Sequence, residues 1–164
     1  MRRYAHVEHP WEVDTILFLH GHFLGTTGML NGPKAVLFHG CSDKTIELIQ
    51  QNGFDDRFAS DGVFGKGLYF SPQACKAYSY AERYLLICEV ALGTEHKRLL
   101  VKKEHATTYF NYEMLLAKDM RSVHHHPTLS GFGYNHHEHV VFHPTQCKPV
   151  YVVKMRHTSP GGGI

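Results

Sequence analysis

The stretch 61-DGVFGKGLYFSPQACKAYSYA-81 decides how the chain folds. Gly65 and Gly67 bracket Lys66, a pattern that marks a tight turn. GLYF (67–70) then reads as a strand fragment ending in two aromatics. Ser71 is placed to cap a helix with Pro72 at its first position, where a missing N–H costs nothing. Ala74, Ala77, Tyr78 and Ala81 follow at i, i+3, i+4 and i+7, one face of that helix. The GKG run lacks the G-x-G-x-x-G spacing at a strand-to-helix junction, which argues against a doubly wound dinucleotide fold.

Outward from this stretch, short strands alternate with shorter helices. KAVLF (34–38) is an apolar run of strand length, and YLLICEVAL (84–92) is long and apolar enough for a central strand. Between them, Ser42 is an N-cap for a helix over DKTIELIQQ, with Asp43 at its positive end and Asn52-Gly53 as its stop. FDDRFASDG (54–62) is loop-like. KRLLV (97–101) reads as a strand, NYEMLLAKDM (111–120) as a weak helix and RSVHHHPTLSGFGYNHH (121–137) as a long loop. HVVFH (139–143) and PVYVVKM (149–155), rich in β-branched residues, predict two strands joined by a turn at PTQCKP. At the other end, WEVDTILFLHGHFL (11–24) predicts a first helix interrupted by Gly21. The pattern predicts an α+β fold of two packed, mostly antiparallel sheets with short flanking helices, in one domain over 1–157 with a flexible SPGGGI tail in 158–164.

Composition narrows the class. With 164 residues, 43% hydrophobic and 20% charged, the chain is an ordinary globular domain. A formal charge of +2 gives no electrostatic footprint for nucleic acid. Cys41, Cys75, Cys88 and Cys147 form no CxxC pair and read as free thiols of an intracellular protein, cytoplasmic or nuclear. No run has the length of a membrane span, and no signal-peptide core opens the chain.

Five motifs stand in order: LFHG (37–40), GFDDRFA (53–59), VFGKGLYFS (63–71), EVALG (89–93) and EHVVF (138–142). Together they resemble the poly(ADP-ribose) polymerase catalytic domain, an ADP-ribosyltransferase of the H-Y-E class, from about residue 34 to 155. GFDDR and the glycine-rich lead into Tyr-Phe look most like the tankyrase branch. The resemblance implies a His39, Tyr69, Glu138 triad, NAD+ as co-substrate, and transfer of single or multiple ADP-ribose units to protein acceptors, the chain itself included. It also implies sensitivity to nicotinamide-mimic inhibitors. No membrane partner is expected, and nucleic acid is an unlikely one. With 36 residues before LFHG, no helical regulatory subdomain like that of DNA-responsive members is expected within this chain.

The chemistry suits these residues. NAD+ carries its own leaving group, so the enzyme must hold it, stabilise a cationic ribose and exclude water rather than supply a nucleophile. The resemblance gives His39 a ribose hydroxyl of the adenosine half and gives the Gly40 backbone the nicotinamide carboxamide. Tyr69 and Tyr80 stack on either side of the nicotinamide ring. Glu138 orients the nicotinamide ribose and the acceptor, and Lys76 lies toward the acceptor side. Cys41, Ser42, Arg57, Phe70 and Ala77 complete the implied NAD+ contacts, with the short segment Gly53–Lys66 as the donor loop. Two positions depart from the family. Cys41 stands where Ser or Thr is usual, and Ala77 where a serine hydroxyl meets the carboxamide. Each replaces a good hydrogen-bonding group with a weak or absent one. Other readings of the same residues are a degenerate module that binds NAD+ or ADP-ribose without turnover, an NAD glycohydrolase, or a transferase onto nucleic acid.

Glu89, inside an apolar strand, reads as structural and paired with a buried donor. The histidine runs HHH (124–126) and HHEH (136–139) have neither nearby cysteines nor a helical i, i+4 pair, so no metal site is expected from them. The tankyrases' small zinc site has no counterpart, since Cys75 and Cys88 stand alone.

Overall fold

The computed structural model describes residues 11–19, 33–62, 64–98, 122–125 and 136–157. Among the described residues nine strands form two sheets. The first has the order β1 (Trp11–Phe18), β9 (Cys147–His157), β5 (Tyr84–Ala91), β2 (Lys34–Gly40). The second runs β3 (Ser60–Gly62), β4 (Gly65–Phe70), β8 (Glu138–Val141), β7 (Ser122–His125), β6 (Glu95–Arg98). All pairs are antiparallel except β6 with β7. The helices α1 (Asp43–Asn52) and α2 (Ala74–Tyr78) flank these sheets among the described residues, an α+β fold of two packed, mostly antiparallel sheets.

β5 shows why the sheets pack. Its side chains alternate, and both faces are apolar. Leu86, Cys88 and Val90 join Leu37, Leu68, Phe70, Val141 and Val152 in the core, together with Ile46 and Ile49 of α1. Leu85 points the other way and packs with Ala77 and Tyr78 of α2 and Val153. Ala74 and Ala81 pack on that second cluster, so the i, i+3, i+4, i+7 face read from the sequence is the buried one.

α1 begins as expected. The Ser42 hydroxyl accepts from the Thr45 N–H, and Gly53 closes the helix at φ 78° while its own N–H caps the Ile49 carbonyl. α2 differs from expectation. It is only five residues long, its N-cap position is Gln73 rather than Ser71, and no side chain caps it. Ser71 instead bridges to Phe38 through reciprocal backbone hydrogen bonds of 2.8 and 3.0 Å. That bridge ties the end of β4 to β2, one strand of each sheet.

Other expectations need correction. Residues 11–18 form a strand, not a helix, because β9 offers them an antiparallel partner, Trp11 against His157 through Phe18 against Tyr151. Residues 20–32 lie outside the described residues. The 54–62 segment carries a one-turn 3₁₀ helix (Asp56–Phe58) and β3, and the 121–137 segment contains β7. The strand expected at 97–101 runs over Glu95–Arg98, and residues 99–121 lie outside the described residues, as does the tail. β8 and β9 belong to different sheets, joined through a 3₁₀ turn at Pro144–Gln146. Glu89 pairs with Lys34 at 3.1 Å on the surface rather than with a buried donor. Among the described residues no helix is long and apolar enough to cross a membrane.

Candidate functional site

Beside the Phe38–Ser71 bridge a cavity of about 390 Å3 opens. Its walls carry His39 and Gly40 from β2, Tyr69 and Phe70 from β4, Lys76, Ala77 and Tyr80 from α2 and the turn after it, and Glu138 from β8. Phe38, Ser60, Asp61, Gly62 and Ser71 complete it.

His39 is 7% exposed, and its Nδ1 lies 2.9 Å from the Tyr69 carbonyl. A carbonyl only accepts, so Nδ1–H donates and Nε2 is left as an acceptor in the neutral ring. Burial holds the His39 pKa below the usual histidine value, against the raising effect of that backbone bond. Phe54 meets the ring edge-on at 5.2 Å and Phe70 is tilted over it at 5.3 Å, so orientation and tautomer are both fixed. A buried neutral imidazole with a free acceptor nitrogen suits a neutral donor such as a sugar hydroxyl.

Gly40 is glycine because α2 lies against it: a Cβ there would collide with the Ala77 carbonyl. Likewise a Cβ on Gly62 would run into the Tyr69 ring. The half-buried Tyr69 accepts the Phe64 N–H at 3.0 Å through its hydroxyl. Burial raises its pKa further above the ordinary phenol range, so it stays neutral. β3 and the turn before β4 thus hold the ring from behind.

Glu138 is 7% exposed, and its Oε1 lies 3.2 Å from Lys76 Nζ. The same ammonium donates to the Tyr80 hydroxyl at 3.0 Å. Burial pulls the Lys76 pKa down, but the Tyr80 bond and the Glu138 charge outweigh it and hold it above the ordinary lysine value. Tyr80 itself is 61% exposed at the mouth. The backbone just before Glu138 is clamped twice. Ser71 Oγ donates to the His137 carbonyl at 2.7 Å, and Gln73 Oε1 accepts the His137 N–H at 2.9 Å. Because Ser71 also accepts the Gln73 N–H at 3.1 Å, the β4–α2 turn sets the position of the carboxylate.

Of the residues singled out from sequence, His39, Gly40, Tyr69, Phe70, Lys76, Ala77, Tyr80 and Glu138 come together in the cavity. Cys41, Ser42 and Arg57 do not line it. Cys41 is half-buried, with its thiol pushed up to about 12 by burial and by Asp43 and Glu82. Ser42 spends its hydroxyl on Thr45. Arg57 is exposed and forked onto Asp55, two residues away, at 2.9 and 3.2 Å. Ser60, Asp61 and Gly62 fall within the Gly53–Lys66 segment expected as the donor loop, although none of the three was singled out by itself. Ser71 reads from sequence only as a helix cap, and Gln73 has no reading there. The signal that could have marked them is their closeness in sequence to Tyr69.

The chemistry available is that of a cleft with two carboxyl side chains, Asp61 and Glu138, one lysine, one buried neutral histidine and two tyrosines. It can hold a flat ring and sugar hydroxyls and place a carboxylate beside a cationic centre. Residues 12–157 match the family described as the poly(ADP-ribose) polymerase catalytic domain.

Proposed function

The chain belongs to the poly(ADP-ribose) polymerase catalytic-domain family, whose reaction uses NAD+, and we propose that it transfers ADP-ribose from NAD+ to protein acceptors, itself among them, releasing nicotinamide. The observation that carries this reading is the meeting of His39, Tyr69 and Glu138, from three strands of two sheets, on one cavity.

In this reading the glycosidic bond to nicotinamide breaks and its electron pair leaves with the ring nitrogen. The ribose carbon left cationic is attacked by an acceptor oxygen or nitrogen, which gives up its proton. His39 Nε2 accepts from a hydroxyl of the adenosine ribose, Tyr69 and Tyr80 hold the nicotinamide ring between them, and the Gly40 backbone meets the carboxamide. Glu138 stabilises positive charge on the ribose and orients the acceptor. Lys76 pairs with the carboxylate at 3.2 Å and fixes where it sits. On the GFDDR and GKGLYF motifs we place the chain nearest the tankyrase branch.

The test is incubation of the chain with adenylate-labelled NAD+, with and without nucleic acid. Expected are free nicotinamide in proportion to label fixed on protein. Label released only as free ADP-ribose would replace this reading with a glycohydrolase, label on nucleic acid with a nucleic-acid transferase, and binding without turnover with a degenerate module.

A further inference from the structure

We propose that Glu95, His124 and His139 bind one borderline divalent cation of the zinc class, on the face of the second sheet opposite Glu138. Strand register brings the three together. In the β7–β8 pair His124 stands directly across from His139, and in the parallel β6–β7 pair Glu95 stands across from Ser122, two residues before His124. Side chains alternate along a strand, so Glu95, His124 and His139 share one face while Glu138 belongs to the other. The shared face also carries Leu68, Phe70 and Val141 and is turned to the core.

The distances suit chelation. One ligand atom from each residue lies within 4.8 Å of the other two. His139 Nδ1 is 2.9 Å from Glu95 Oε1, and the His124 and His139 rings stack at 4.1 Å. Metal bonds of about 2 Å in a tetrahedral site put donor atoms about 3.3 Å apart, so the cluster must close by about 1.5 Å at most. His124 Nε2 now shares a proton with His137 Nδ1 at 3.0 Å, a bond the cation must displace.

The surroundings also ask for a cation. A carboxylate at the end of an apolar interior needs compensation. Neutral imidazole is the form that ligates metal. Ser122 Oγ, fully buried on the same face and across from Glu95, has no hydrogen-bond partner among the described residues. Two imidazoles and one carboxylate suit zinc, cobalt or nickel, whereas calcium and magnesium prefer all-oxygen shells. The residues lie 95, 124 and 139 along the chain on three strands, which is why a search for helical i, i+4 pairs does not find them. Bound there, the ion would staple β6, β7 and β8 directly behind the strand that carries Glu138.

The full chain is stripped with chelator and titrated with zinc by calorimetry, with a parallel melting curve. One tight equivalent is expected. At zinc a hundredfold above Kd it should raise Tm by on the order of 5–10 °C. Glu95→Gln and His139→Gln should each weaken zinc at least as much as the roughly 10–100-fold cost of altering an outer-shell partner. A His125→Ala/His126→Ala double variant should keep the equivalent. X-ray absorption on the zinc-loaded wild-type chain should show two imidazoles and a carboxylate, a readout that survives any folding failure of the variants. The proposal is overturned by no zinc uptake, by loss of the equivalent in the His125/His126 control, by its retention in both ligand variants, or by a shell without two imidazoles.

Discussion

Glu138→Gln separates chemistry from binding and folding, because the structure gives each a different expected size. Glutamine keeps the shape of the side chain and one acceptor for Lys76 Nζ, now 3.2 Å away, and loses only the charge. Breaking a fully buried ion pair costs about 3–5 kcal/mol. Here the ammonium keeps the Tyr80 hydroxyl at 3.0 Å, next to an exposed ring, so it is not stranded. The stability loss should be nearer 1 kcal/mol, the scale of one hydrogen bond, or about 2–4 °C in Tm. The rate loss should be far larger. A group that stabilises the cationic ribose and orients the acceptor contributes on the order of 10² or more, about 2.7 kcal/mol of barrier. KM for NAD+ should change little, since the ring and adenosine contacts remain. The assay is label transfer from NAD+ at saturating and subsaturating concentration, alongside a melting curve. Transfer within threefold of wild type, or a rate loss that disappears once the folded fraction is corrected for, would refute the role given to Glu138.

His39→Ala and Tyr69→Ala should each weaken a non-hydrolysable NAD+ analogue by roughly 1–2 kcal/mol, read by calorimetry, through loss of a hydrogen bond and a stacking face. Ala77→Ser should tighten 3-aminobenzamide by roughly two- to twelve-fold, the worth of one hydrogen bond, and lower Tm slightly because Ala77 also packs with Leu85 and Val153. An unchanged or weaker dissociation constant would mean that its Cβ does not face the nicotinamide ring. Gly40→Ala should destabilise by about 1–3 kcal/mol in denaturant melts, because the new methyl meets the Ala77 carbonyl rather than a side chain that could move aside. His39, whose pKa is lowered by burial, makes the unfolded chain the better proton binder below its ordinary value of 6.5. Its contribution is therefore fully present above that pH and is lost as pH falls towards the folded pKa. The slope of stability against pH between 6.5 and 5 should be shallower in His39→Asn.

The parts of the site that could be read from sequence are those whose partners are near in sequence or fixed by a motif. Ser42 caps α1 through Thr45, three residues on, and β2 ends at His39-Gly40 as an apolar run. What could not be read depends on distant partners. Val13, Ile16 and Leu17 of β1 are all exposed, so no buried face announces a helix or a strand, and only pairing with β9 decides. SVHH becomes β7 because β6 and β8 flank it, not because its four residues favour a strand. Arg57 carries the family motif, yet its fork closes on its own neighbour Asp55, which motif position alone does not reveal.

Glu138 and His139 show how much rests on register. They are adjacent, yet one faces the cavity and the other faces Glu95 in the interior. A slip of one residue in β8 would exchange them, removing the carboxylate from the cleft and burying it beside Phe70. Apolar patterning resists such a slip only weakly here, because Val140 and Val141 are both buried, one on each face. The polar clamp on His137 supplies what the valines cannot. Its N–H and carbonyl are both engaged, by Gln73 and Ser71, and a shifted strand would lose both bonds. Gln73→Ala should therefore lower transfer with a smaller effect on NAD+ binding, because it loosens the position of Glu138 rather than the pocket for the dinucleotide. A Gln73→Glu variant, which keeps the acceptor for the His137 N–H, should recover part of the loss. If Gln73→Ala transfers at the wild-type rate, the register of β8 is held by something other than this turn.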